Sequence, residues 1–253
     1  MYPLWKEDVR VAFLILSQIS IGIILALIAI SLDKVGRGFF SFHAALALSL
    51  EAIALALDRS RMPAFAPYGA SLLILTVLYQ VRKLRWTGTL IRLTALLGAA
   101  ALVWIAGPST ADALALVSSA WVLGAVLVAM NLGHWYLVIR GLPIDLLGVA
   151  NRRLIQALVL RIACIAIGVI LAREAWAAMW TAAGGPMWDK VLFLTVRVAF
   201  GLAAPLVLSW MVHECVKIKS NQSATGILYV SVVFILIGEL SGLYFLLHRG
   251  VPL

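Results

Sequence analysis

Charge is scarce in this chain. Asp, Glu, Lys and Arg make up only 12% of its 253 residues, about half the ~25% of an ordinary soluble domain. That excludes a disordered tail and a typical soluble enzyme. Cysteine is scarcer still, with two residues. Cys164 lies within an apolar run and Cys215 at the end of another, and no CxxC or CxxCH occurs. A disulfide scaffold, a zinc ribbon and a covalently attached c-type haem are therefore excluded. Several catalytic signatures are also missing. Without a Walker A pattern there is no basis for ATP hydrolysis, and without HExxH or GxSxG none for a zinc protease or serine hydrolase. No DxxD cluster is present to hold metal for prenyl or phosphoalcohol transfer. No pair of Gly/Pro-broken runs sits at matching positions, which argues against an inverted-repeat transporter. The four histidines do not form two stacked pairs on two helices, which argues against a two-haem cytochrome b.

What remains is apolar. Hydrophobic residues make up 64% of the chain and the mean hydropathy is +1.05. The composition predicts an all-α, polytopic integral membrane helix bundle over residues 1–253, a single transmembrane domain of about eight helices. The runs fall at about 11–32, 38–57, 68–81, 90–106, 113–139, 154–172, 191–213 and 224–247. The first is expected to be retained, because its flank Lys6-Glu7-Asp8-Arg10 carries no net charge and no small-residue cleavage site follows. The longest loop, 173–190, contains Gly184-Gly185-Pro186 and three tryptophans.

The net charge of +9 does not point to nucleic acid, because the basic residues occupy short loops between apolar runs. The face carrying the N-terminus, side A, holds Lys6, Arg10, Arg59, Arg61, Arg173, Lys190 and Arg249. Side B holds ten: Lys34, Arg37, Arg82, Lys83, Arg85, Arg140, Arg152, Arg153, Lys217 and Lys219. The positive-inside rule then places side B in the cytoplasm and both termini outside, in a bacterial-type cytoplasmic (inner) membrane. Tryptophans 5, 86, 135, 176, 188 and 210 fall near run ends, as an aromatic belt does.

Ionisable groups within lipid are costly, and each is a candidate functional residue. Two layers are expected. Near side B lie His43, His134 with Asn131 one turn earlier, and His213 followed by Glu214. Such histidines can hydrogen-bond a quinone carbonyl, accept its protons, or ligate a haem iron. Arg92, Gln156 and Arg161 are placed in the same half, with the two arginines snorkelling to side B. Nearer side A lie Glu51, Arg197 about 10 Å into its run, and Glu239 at similar depth in the last. Consecutive antiparallel spans let Arg197 meet Glu239. One arginine between two carboxylates is the expected network, with Gln18 able to join it. Gly238-x-x-x-Gly242 brackets Glu239 and suits close helix approach. Pro205 should kink the seventh span between Arg197 and His213.

The last run reads Phe234-Ile235-Leu236-Ile237-Gly238-Glu239-Leu240-Ser241-Gly242, then Phe245 and His248. It resembles the final helix of the membrane-anchor subunit of the dimethyl sulfoxide reductase family, within the wider class of polysulfide-reductase anchors. The first run, with Ser17-Gln18 and Gly22, and His43 in the second are also similar. Gly133-His134-Trp135-Tyr136 and the segment 220–226 depart from the family pattern. The resemblance implies an anchor without a redox metal of its own that binds quinol and passes electrons to an iron–sulfur partner, with His43 and Glu239 carried over by position.

The expected function is a membrane subunit of a respiratory-type electron-transfer complex. It would interact with quinone or quinol through His43, Glu51, Asn131, His134, Arg197 and Glu239, and anchor redox partners such as an iron–sulfur or cytochrome subunit. It is expected to be a non-catalytic or quinone-site subunit of an oxidoreductase, and no catalytic residue or metal site is assigned. One alternative is a single-haem b-type cytochrome subunit, with His43, His134 and His213 as candidate axial ligands. The other is a small-molecule or ion transporter coupled to the buried Arg and Glu.

Overall fold

A computed structural model describes residues 5–81, 87–139, 142–181 and 186–253, and for residues 5–7 the backbone alone. The loop residues Arg82, Lys83, Arg85, Trp86, Arg140, Gly184 and Gly185 lie outside the described residues. So do the side chains of Trp5, Lys6 and Glu7.

The described residues contain helices and no strand. In chain order these are α1 (Trp5–Leu27), the short α2 (Leu32–Val35), α3 (Arg37–Leu57), α4 (Met62–Gln80), α5 (Thr87–Ala106), α6 (Thr110–Val138), α7 (Asp145–Leu171), the short α8 (Arg173–Met179), α9 (Met187–Val198), α10 (Ala204–Lys217) and α11 (Asn221–Arg249). A 3₁₀ turn (Arg59–Arg61) leads into α4, and a π-helical turn (Ala199–Ala203) joins α9 to α10. Among the described residues, eight stretches are long and apolar enough to cross a membrane, with α9, the π turn and α10 forming one of them. The all-α membrane-bundle expectation holds. Eight crossings return the end of α11 to the side where α1 begins, side A.

The spans differ from their sequence-based limits where local chemistry masks hydropathy. The third, read as 68–81, starts much earlier, because Pro63 lies at the beginning of α4, where a missing N–H costs nothing. The sixth starts at Asp145 rather than near 154. Asn151, Arg152 and Arg153 lower the hydropathy there, but Leu146, Leu147, Ala150 and Leu154 form a buried stripe at helical spacing. Asn151 itself is buried and donates Nδ2 to the Ser209 carbonyl at 2.8 Å. In the seventh span Pro205 cannot donate to the carbonyl four residues back, that of Gly201. The chain answers with the π turn at 199–203.

The core centres on α6, which touches α1, α5, α7 and α11. Two glycine crossings set its closest approaches. A Cβ on Gly124 would lie 1.8 Å from the Gly22 carbonyl carbon, and one on Gly22 would lie 1.8 Å from the Ala120 oxygen. Backbone therefore rests on backbone where α1 crosses α6. A second contact brings Gly201 of the π turn onto Gly238 of α11, where an added Cβ would meet the partner's Cα at 2.8 or 2.1 Å. Apolar hydration drives little association inside a bilayer, so such close packing between small residues carries much of the cohesion. Outward-facing Trp104, Ile170, Trp188 and Trp210 are strongly exposed, as a lipid-facing surface requires. Lys190, read as a loop residue, is buried on α9 and donates to the Thr181 carbonyl. Cys164 and Cys215 are both free thiols.

Candidate functional site: a buried Arg–Glu–Arg cluster

Three charged side chains from three helices meet inside the bundle. Each lies ten residues from the side-A end of its helix: Arg161 from Leu171, Arg197 from Met187 and Glu239 from Arg249. At 1.5 Å per residue that is about 15 Å of helix. Equal depth allows them to meet. Arg161 donates Nη2 to Glu239 Oε2 at 2.9 Å and Nε to Oε1 at 3.3 Å. Arg197 donates Nη1 to Oε1 at 2.9 Å. All three are almost fully buried. Arg161 is further held by the Ala115 carbonyl and Ser118 Oγ, both 3.0 Å from Nη1, and by the main-chain oxygen of Leu253, 2.9 Å from Nη2.

The expected Arg197–Glu239 contact is present, but the network is inverted. One carboxylate stands between two guanidiniums, instead of one arginine between two carboxylates. Arg161 does not snorkel. The early start of α7 moves it away from side B and turns it to the bundle interior. Arg92, by contrast, is exposed near the side-B end of α5.

Glu51 does not join the cluster. Its Oε1 accepts from Ser17 Oγ at 3.4 Å, and its Oε2 is buried with no partner. Helix α3 packs on α1 and α4, so α1 stands between Glu51 and Glu239. Gln18 on α1 faces the cluster. Its Nε2 donates to the Leu116 carbonyl at 3.2 Å and its Oε1 has no partner. Gln18, Ser119, Arg161, Glu239 and Leu253 line a void of about 10 Å³, room for about one water.

In the side-B layer, His43 and Asn131 meet. Asn131 Nδ2 lies 3.1 Å from His43 Nε2, and His43 Nδ1 lies 2.8 Å from the Phe39 carbonyl. This pattern suits a neutral ring with the proton on Nδ1. Phe39 packs against the imidazole and against Trp135. His134 points elsewhere: it is exposed, with Nδ1 3.3 Å from the Tyr229 hydroxyl of α11. His213 is half-buried near the end of α10. The three histidines set aside for haem thus go to different surroundings, and His43 has both ring nitrogens engaged. The two segments that departed from the family pattern do pack together: Gly133 is so close to Thr225 that an added Cβ would lie 2.7 Å from its Oγ1.

A lateral groove completes the site. It has a volume of about 400 Å³ and is lined by apolar residues of α5, α6 and α7, among them Val103, Val117, Trp121 and Leu160. Ser118 also lines it, and Ser118 Oγ is one of the groups that accept from Arg161. Val103 and Leu160 are exposed on the lipid-facing surface, so the groove opens sideways. Sequence reasoning missed Ser118 and Arg161. The depth shared by Arg161, Arg197 and Glu239 was the available signal, and it was hidden by the misplaced start of α7.

No family model, curated protein or solved structure matches the chain.

Proposed function

We propose that the protein is the membrane subunit of a respiratory-type electron-transfer complex that binds a quinone or quinol in the lateral groove. One observation carries this reading. Ser118 belongs both to an apolar groove open to lipid and to a buried cluster of charged hydrogen-bonding groups. A quinone has the matching chemistry, with an apolar tail that partitions from the bilayer and a carbonyl that accepts a hydrogen bond. The groove volume is within the ~300–1,000 Å³ of small-molecule sites. Quinol oxidation would release two electrons to an iron–sulfur or cytochrome partner and two protons to nearby acceptors. The resemblance of the last helix to redox-anchor subunits supports the same reading, with side B facing the cytoplasm of a bacterial-type inner membrane.

The test is gentle solubilisation of native membranes, extraction of bound quinone and identification of co-purifying subunits. Quinone should be recovered with the complex, and Leu160→Trp, which fills the groove, should lower its occupancy. A quinone-free protein with no redox subunit attached overturns the proposal. Solute uptake in proteoliposomes that is abolished by Glu239→Gln would favour a transporter.

A further inference from the structure

We infer that Glu51 is a proton-binding site, a carboxylic acid that exchanges its proton with side A past an aromatic pair, Phe13 and Phe65.

The inference starts from what Glu51 lacks. It is almost fully buried on α3, six residues or about 9 Å of helix from the side-A end. Ser17 Oγ donates to Oε1 over a long 3.4 Å, and no donor is aimed at Oε2. Among the described residues no cation pairs with it. The described charged groups on the elements packed against α3 lie elsewhere. Arg10 of α1 and Arg61 of the 3₁₀ turn line a cavity nearer side A. Asp8, Arg59, Asp33 and Lys34 are exposed, and Asp58 is held by Ser60 and Arg61. On α3 itself, Arg37 is exposed and His43 is bonded to Asn131 of α6 near side B. From α4, the titratable group facing Glu51 is Tyr68. An ionised carboxylate here would keep its charge against one long hydrogen bond and no counter-ion, whereas a carboxylic acid needs neither. Oε1 then serves as the carbonyl oxygen that accepts from Ser17, and Oε2 carries the hydrogen.

The neighbouring hydroxyls suit a proton better than a metal ion. Ser20 Oγ donates its one hydrogen to the Ala47 carbonyl at 2.8 Å, so the Tyr68 hydroxyl, also 2.8 Å from Ser20 Oγ, donates to Ser20. Ser20 and Tyr68 thus hold each other. Among the described residues, no group of three His, Cys, Asp or Glu side chains is placed to share a metal ion. The cation for which one carboxyl and one serine suffice is the proton.

Access lies toward side A. Phe13 is one turn from Ser17 on α1, and Phe65 is one turn from Tyr68 on α4. Their buried rings meet edge to face with centroids 5.2 Å apart. Phe13 also lines a cavity of about 110 Å³ near the side-A end, which Arg10, Arg61 and Asp112 make polar. The ring pair therefore stands between that cavity and the level of Ser17, Glu51 and Tyr68. A proton passes when the rings part and water bridges the turn. This inference does not rest on the quinone proposal. Its site lies among α1, α3 and α4, its test involves no quinone, and the two can fail separately.

The experiment uses the full chain in nanodiscs at neutral pH. Infrared spectra are compared for protein made with ordinary and with carbon-13-labelled glutamate. The wild type should show a glutamic-acid carbonyl band that moves with the label and shifts in heavy water. Glu51→Gln should abolish it. The milder Glu51→Asp should remove it from the glutamate-labelled set while the chain stays folded. No labelled acid band in the wild type, or one that survives both substitutions, overturns the inference. A band lost when sodium chloride replaces choline chloride at constant pH makes the site a metal site and overturns it too. Access is read from the rate at which the band shifts after transfer to heavy water. Phe13→Ala should speed that shift at least about tenfold by removing an opening step, and Phe13→Leu should speed it with a smaller loss of packing. Phe42→Ala, on the exposed face of α3 nearer side B, should leave the rate unchanged. Rates equal to wild type in both Phe13 variants overturn the side-A route.

Discussion

Glu239→Gln should be far more damaging than Arg197→Gln, although both residues belong to the same ion-pair network. Glu239 accepts three hydrogen bonds from two arginines. Its neutralisation takes the paired carboxylate from two buried guanidiniums. Removing one partner of a buried pair typically costs about 3–5 kcal/mol, because the other charge is stranded, and Glu239→Gln should fall in that range. Arg197→Gln removes one hydrogen bond and leaves Glu239 still paired with Arg161. The Arg161–Glu239 pair survives as a neutral, two-point contact, so the loss should be about 1 kcal/mol or less. Arg161→Gln should resemble Glu239→Gln, since it removes two of the three hydrogen bonds to Glu239 and the one to the Leu253 oxygen. Adding Arg197→Gln to Glu239→Gln should recover about 1–2 kcal/mol of the loss, so the double variant costs less than the two singles summed, the sign expected of an attractive pair. The assay is reversible denaturation in nanodiscs for the three single variants and the double. Equal losses for Glu239→Gln and Arg197→Gln, or a double variant worse than both, would refute the charge assignment.

Three further outcomes follow from packing and hydrogen bonds. Gly124→Ala places a methyl within 2 Å of the α1 backbone at Gly22 and should lower stability by at least about 1–3 kcal/mol in the same assay, whereas Gly88→Ala, with open space around it, should change little. Asn131→Leu leaves His43 Nε2 without its partner and should cost about 1 kcal/mol, near the measured range for hydrogen bonds between membrane helices; NMR of the imidazole should also show loss of the single tautomer. Outside the spans, Asp58 caps the 3₁₀ turn through Ser60 and Arg61. Burial pushes its carboxyl up, but the bonds from Ser60 and Arg61 outweigh that and hold it below its ordinary 3.8. Its contribution is therefore present above pH 3.8 and fades as pH falls through the lowered native value. Asp58→Ala should cost about 1 kcal/mol at neutral pH and lose its effect in acid, as read by thermal unfolding across pH.

Depth along a helix was legible in the sequence, and direction around it was not. Counting 1.5 Å per residue placed Arg197 and Glu239 at one level, and they meet. The same count would have included Arg161 had α7 been started at Asp145. Hydropathy averaged over Asn151, Arg152 and Arg153 hid a buried stripe on the other face of that turn. Glu51 fails to join for a different reason, since α1 lies between α3 and α11, and packing order is a property of the assembled bundle. Asn131 and His134, three residues apart on α6, show the same limit. A 60° difference in direction sends one to His43 on α3 and the other to Tyr229 on α11.

The cluster itself is not what a bundle needs for rigidity. Well-packed apolar side chains in place of a buried ionic triad are often neutral or stabilising by about 1–4 kcal/mol, and the glycine contacts at 22/124 and 201/238 already fix how α1, α6, the π turn and α11 cross. An unequal triad is worse than a balanced pair for stability alone, because the second guanidinium brings a desolvation cost with only one hydrogen bond in return. Its position is what distinguishes it. One edge touches a groove open to lipid through Ser118, and another touches a water-sized void beneath a polar cavity on side A. A charged centre placed between a lipid-side opening and an aqueous-side opening fits the handling of a ligand or proton between those two phases better than it fits a purely structural joint. A triad variant with Met at 161, 197 and 239 separates the two views: full retention of quinone occupancy together with higher stability would assign the cluster to structure alone.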